Sequence, residues 1–133
     1  MKPSFISHEL YLLYNPATEL GHKTHALAPS LNNVVHEIDI MNKKITRFRW
    51  KEIINMLKLS PAELLDTGHP DYEKLIAGKD FSDNDFLEVL CHNPQLVKGP
   101  IGILDTQAVL CDDPKDILKL DATPAAEKEA YQF

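Results

Sequence analysis

The apolar positions fall into two rhythms, short continuous runs and helical stripes, and their alternation lays out the chain. Leu10 to Tyr14 is a run closed by Asn15-Pro16, which predicts a buried strand leading into a turn. Thr18 then stands where its side chain can cap a helix carrying Leu20, Ala26 and Leu27, with Pro29 expected to close it. Val34 to Ile40 is a second, β-branched run. Ile45, Phe48, Ile53, Ile54 and Leu57 recur at helical spacing and predict a long amphipathic helix.

Ser60-Pro61-Ala62-Glu63 combines a capping serine, proline at the first helical position and glutamate three residues after the cap, the clearest helix start in the chain. A short helix is expected from Pro70 to Ala77, stopped at Gly78. Ser82 starts another, which carries Phe86, Leu87, Val89, Leu90 and Cys91 until Asn93-Pro94 breaks it. Ile101 to Asp105 and Ala108 to Cys111 read as two strands joined in a hairpin through Thr106-Gln107. Asp113-Pro114 caps a last helix through Leu120.

The order is therefore β-α-β, several helices, then β-β-α. It predicts an α/β fold with a mixed central sheet flanked by helices on both faces. Residues 1–120 make one domain by this reading, and 121–133 a flexible C-terminal tail with little apolar surface before Tyr131 and Phe133.

Composition narrows the function. Of 133 residues, 44% are hydrophobic and 26% charged, as in ordinary globular domains. No apolar run approaches the roughly 20 residues of a membrane helix. The opening stretch, Met1 to Tyr14, lacks the apolar core and small-residue cleavage site of a secretory signal, so a cytoplasmic location without membrane association is expected. A formal net charge of −6 argues against a nucleic-acid partner, because phosphate binding depends on clustered cations. The local exception is Lys43, Lys44, Arg47, Arg49 and Lys51. Interleaved with Ile45, Phe48 and Trp50, these residues read as a solvated helix face.

Candidate chemistry is sparse. Cys91 and Cys111 have no metal-type or redox-type spacing and are expected to be buried thiols. His22 and His25 stand three residues apart, but no third ligand has convincing spacing, so no metal site is expected. No glycine-rich phosphate loop is present, and no Ser/His/Asp constellation.

Six short motifs nevertheless occur in one register: Asn15-Pro16-Ala17 after a strand, Leu59 to Leu65 (LSPAELL), Tyr72-Glu73-Lys74-Leu75, Phe81-Ser82-Asp83, His92 to Val97 (HNPQLV) and Gly99-Pro100-Ile101. Over roughly residues 9 to 120 the chain resembles the arsenate reductase family of the thioredoxin superfamily, which also holds the Spx-type transcription regulators. The resemblance implies a thioredoxin-like fold. It also implies a strand-turn-helix reading Asn-Pro-x-Cys, whose cysteine thiolate attacks arsenate. Asn15 and Pro16 keep that pattern, and Thr18 stands in place of the cysteine. Three family arginines embrace the oxyanion; by register their positions hold Asp66, Gly99 and Asp112. Spx-type proteins commonly carry Cys-x-x-Cys at this turn, which here reads Thr18-Glu19-Leu20-Gly21. The family fold also implies a cis-proline at Gly99-Pro100, beside a groove for an extended peptide or glutathione.

These departures decide between readings. A helix N-terminus with nearby cations stabilises a thiolate, whereas a threonine hydroxyl needs a general base. His22, one turn further on, would point away from the cap. Glu19, Asp66 and Asp112 would repel arsenate if they line the pocket, by roughly 1–4 kcal/mol per charge at about 4 Å. The expected protein is thus a degenerate arsenate reductase-like binding or regulatory module that takes a protein or peptide partner through Thr18, Gly99 and Pro100, with no cofactor. Two alternatives stand beside it. One is a glutathione-dependent thiol oxidoreductase with Cys111 or Cys91 as a relocated nucleophile. The other is an Spx-like regulator that contacts RNA polymerase through the helix from Lys43 to Lys51.

Overall fold

A computed structural model describes residues 5, 8–32, 34–76 and 78–120. The expected tail from 121 to 133, and Ala77 at the end of the expected short helix, lie outside the described residues. Strand β1 (Leu10–Tyr14) occupies the middle of the sheet, parallel to β2 (Val35–Asp39) and antiparallel to β3 (Ile101–Leu104), which pairs antiparallel with β4 (Gln107–Leu110). The order β2-β1-β3-β4 is the mixed sheet expected from the pattern. Between β1 and β2 runs α1 (Glu19–Leu31). Then come α2 (Arg47–Leu57), α3 (Pro70–Leu75) and α4 (Asp83–His92).

Strand periodicity divides the core in two. Leu13, Ile101 and Ile103 face Trp50, Ile53 and Ile54 of α2 and Leu87 and Leu90 of α4. Leu10, Leu12, Tyr14 and Leu104 face Ala28 of α1 and Ile117 and Leu120 near the end of the domain. Helices therefore cover both faces of the sheet.

Several elements differ from expectation for physical reasons. Pro29 lies inside α1 rather than closing it, and the helix continues to Leu31, capped at Asn32. The proline ring takes away the bond to His25 O and crowds that carbonyl, but this falls in the last turn, where Asn32 N–H still donates to Ala28 O at 3.4 Å. The buried face of α1 is Gly21, Thr24 and Ala28, small residues that bring the helix close to the sheet, while Ala26 is exposed. On α2 the buried stripe is Trp50, Ile53 and Ile54. Phe48 is 68% exposed, and Ile45 is buried just before the helix starts. Trp50 thus belongs to the core and not to the solvated basic face.

The Ser60-Pro61 start yields one 3-10 turn, Pro61–Leu64, although Ser60 N–H does donate to Glu63 Oε2 at 2.6 Å. Leu65 bridges antiparallel to Val97, and this pairing draws the chain out of helical geometry. The segment Pro114–Lys119 is also 3-10, with Asp113 Oδ1 accepting from Lys115 N–H. In the hairpin the turn is Asp105-Thr106, one residue earlier than expected, because Asp105 takes a left-handed conformation at φ 56°.

Candidate functional site

Pairing of Leu13 with Ile101, and of Ile101 with Leu110, aligns one end of the sheet. Past that row lie the Asn15–Thr18 turn after β1, Gly99-Pro100 before β3, and Cys111-Asp112 after β4. Thr18, Gly99 and Asp112 therefore come to one end of the sheet although they are distant in sequence, while Asp66 does not.

In the turn, Asn15 Oδ1 accepts from Ala17 N–H at 3.0 Å, and Asn15 O accepts from Thr18 N–H at 3.2 Å. Thr18 Oγ1 donates its proton to Asn15 O at 2.9 Å and accepts from Gly21 N–H at 2.9 Å. The hydroxyl is thus the N-cap of α1 and a brace of the turn together. Its proton rests on a backbone carbonyl, which cannot act as a general base. Gly21 is required by this arrangement: a Cβ there would sit 2.2 Å from Asn15 O and 2.8 Å from Thr18 Oγ1.

Gly99 is held as tightly. A Cβ there would lie 2.2 Å from Cys111 O and 3.6 Å from Leu20 Cδ2 of α1, so the space for an arginine stem is filled by backbone. Pro100 is buried, and its carbonyl accepts from Cys111 N–H at 2.8 Å. The Gly99-Pro100 peptide is trans, which corrects the cis-proline expectation: no cis bond occurs among the described residues. Here the strand-like pairing of Pro100 with Cys111 fixes the approach to β3.

Asp66 is half-buried and folded onto its own loop. Its Oδ1 accepts from Gly68 N–H at 3.0 Å, its N–H donates to Leu96 O at 2.7 Å and its carbonyl accepts from His69 N–H at 3.1 Å. It borders a cavity of about 330 Å³ with Leu59, Glu63, Thr67 and Lys98. Asp112 is exposed, and its N–H donates to Asp116 Oδ2 at 2.9 Å. Asp116 is a carboxylate held below its ordinary range by Lys119 and by the N–H groups of Asp113 and Asp112. Glu19 pairs with Lys23 at 2.7 Å, which lowers the pKa of the acid and raises that of the amine.

Both cysteines are free thiols. Cys111 is fully buried, and its pKa is pushed up to about 12, first by burial and then by the charges of Asp116 and Asp112. Cys91 is only half-buried, contrary to the expected core position; burial and Glu88 raise its pKa against the pull of Lys44 and Arg47. His22 is exposed, whereas His25 stacks on Tyr14 at 5.0 Å and bonds Glu37. Among the described residues no group of three or more His, Cys, Asp or Glu side chains could hold a metal ion, and no helix is long and apolar enough to cross a membrane.

The sequence carries no signal for Gly21 and Gly99 as close-approach positions, since glycine alone does not reveal what lies opposite. It also left unseen a cavity of about 280 Å³ between the sheet and the start of α2, whose rim is Lys43, Lys44 and Arg49. The basic run was the available signal, but only the burial of Ile45 and Ile53 beneath it shows a floor.

No family profile matches the chain, and no curated protein does. Solved structures do match. A Yersinia pestis protein proposed to be an arsenate reductase superposes with a TM-score of 0.78 at 19% identity, over 84% of this chain and 100% of its own. The arsenate reductase of Vibrio cholerae gives 0.77 at 19% identity, over 86% and 98%. An arsenate reductase-related protein of Brucella melitensis gives 0.59 at 13% identity, over 98% of both chains. Likeness at this identity is a likeness of fold: the chain carries the thioredoxin-like fold of the arsenate reductase-like proteins.

Proposed function

We propose that this protein is a non-redox binding or regulatory module built on the arsenate reductase-like fold, with a protein or peptide as its partner. The observation that carries the reading is the Thr18 hydroxyl, engaged as donor to Asn15 O and as acceptor from Gly21 N–H at the position where the fold's enzymes would hold a thiolate. The positions of the oxyanion arginines support it. Gly99 is closed by Cys111 O, Asp66 is tied into its own loop, and Asp112 adds negative charge. A relocated thiol has little support, because Cys111 has no exposed surface and a strongly raised pKa. Glutathione is accordingly no part of the proposal.

The test is capture of partners from a lysate by the immobilised chain and by its Cys91→Ser, Cys111→Ala variant, with circular dichroism to show that the variant folds. Retention of the same partner in both arms is expected. Loss of the partner by the folded variant would refute the non-redox half, and failure of the parent chain to retain any protein would refute the binding half.

A second reading has one observation in its favour. The α2 face exposes Phe48 between Arg47 and Lys51, an aromatic among cations that would suit an Spx-like contact with RNA polymerase. Crosslinking that recovers no polymerase subunit would remove it.

A further inference from the structure

On the sheet face opposite α1, the 280 Å³ cavity has an apolar floor and a cationic rim. Leu13, Ile45 and Ile53 are buried beneath it, with Ile38 half-buried at one side. Phe5 and Tyr11 form an aromatic wall, edge to face at 4.8 Å between ring centroids. The rim holds Lys43, Lys44 and Arg49, with Thr46 at the cap of α2.

The charge here is unusual for a chain of net charge −6. Helix N-termini favour acids, yet the first turn of α2 carries none and presents Arg47 and Arg49 instead. Arg47 pairs with Glu88 at 3.0 Å, and Arg49 reaches Glu52 at 3.4 Å and lies 4.9 Å over the Phe5 ring. Neither Lys43 nor Lys44 has an ion pair among the described residues. The neighbouring Asp39 carboxylate is occupied by Met41 N–H and Asn42 Nδ2. Among the described residues Lys43 and Lys44 thus stand without a salt bridge at the rim of a hydrophobic hollow.

We propose that this cavity binds a small amphipathic carboxylate, its tail on the Leu13–Ile38–Ile53 floor and its charge between Lys43, Lys44 and Arg49. The tail is a short alkyl chain, because the apolar lining is confined to Leu13, Ile38, Ile45, Ile53 and the Phe5–Tyr11 wall. An inorganic anion would leave the floor unused, and a neutral alkane would leave the cations unused.

Octanoate fits both limits, and its two halves can be separated in the experiment. The full chain is titrated with octanoate, with 1-octanol and with acetate while backbone amide NMR shifts are followed. Octanoate is expected to give saturable shifts at Tyr11, Ile38, Lys44 and Thr46, and to bind about tenfold more tightly than either control, the size of one to two screened charge pairs. A Lys43→Gln, Lys44→Gln double variant changes only exposed side chains and is expected to lose about that factor with an unaltered melting temperature. Equal binding of octanol would overturn the proposal as a merely apolar hollow, and equal binding of acetate as a merely cationic surface. Shifts that fail to saturate, or that map elsewhere, would overturn it outright.

Discussion

Replacing Gly99 by alanine adds a single methyl group, yet it is expected to be among the most damaging small changes at this end of the sheet. The added Cβ would stand 2.2 Å from Cys111 O, about 1.2 Å inside the 3.4 Å where ordinary contact begins. The clash is with backbone, so no side-chain rotation relieves it. Either the chain entering β3 moves away from the chain leaving β4, or the Cys111 N–H to Pro100 O hydrogen bond at 2.8 Å is lost. Overpacking of this kind costs about 1–3 kcal/mol, and a lost hydrogen bond about 0.5–1.5 more. With both effects, about 1.5–4.5 kcal/mol corresponds to a fall in Tm of roughly 5–22 °C for a domain of this size. Thermal and urea unfolding followed by circular dichroism measure it directly. Gly68→Ala is the control, because its Cβ would meet only Asp66 Oδ1 at 3.4 Å. Gly99→Ala as stable as the parent, within about 0.5 kcal/mol, would refute the claim that backbone fills the arginine position.

Other outcomes follow from the same contacts. Thr18→Ala removes the cap of α1 and the brace on Asn15 and should cost about 1–2 kcal/mol in urea unfolding, whereas Thr18→Ser should recover most of it. Cys111 should resist iodoacetamide in the native state and react once unfolded, with Cys91 modified first; mass spectrometry of the labelled peptides checks the order. Its raised pKa also fixes a sign. Below about pH 9 both folded and unfolded chains keep the proton, while between there and about 12 only the unfolded chain releases it, so stability falls as pH rises. The fall should reach about 1.4 kcal/mol per pH unit at most, and Cys111→Ala should flatten it in melts at pH 8 to 10.5.

Much of the fold was legible because strand and helix periods are local. Leu10 to Tyr14 alternates between the two cores as a central strand must, and Ser82 caps α4 by accepting from Asp85 N–H at 3.2 Å. Where the reading failed, a distant partner decided. Leu65 left the helix expected after Ser60 because Val97 pairs with it, and α2 turned Trp50 inward where the charge pattern had placed a solvated face. The turn at Asp105 escaped because the left-handed position carries aspartate rather than glycine. At the site, the threonine standing where the resemblance implies a cysteine was visible in the sequence. What the hydroxyl of Thr18 does instead, and what closes Gly99, depends on carbonyls of residues that no spacing rule brings together.

Arsenate reduction with glutathione and glutaredoxin, measured on the parent chain beside Thr18→Cys and a Cys91→Ser, Cys111→Ser double variant, tests the central claim most directly. If Thr18 is a structural cap and the oxyanion positions are filled by Asp66, Gly99 and Asp112, neither the parent nor Thr18→Cys turns over. Turnover by the parent that disappears in the double variant would contradict the claim and show that Cys91 or Cys111 is a working thiol.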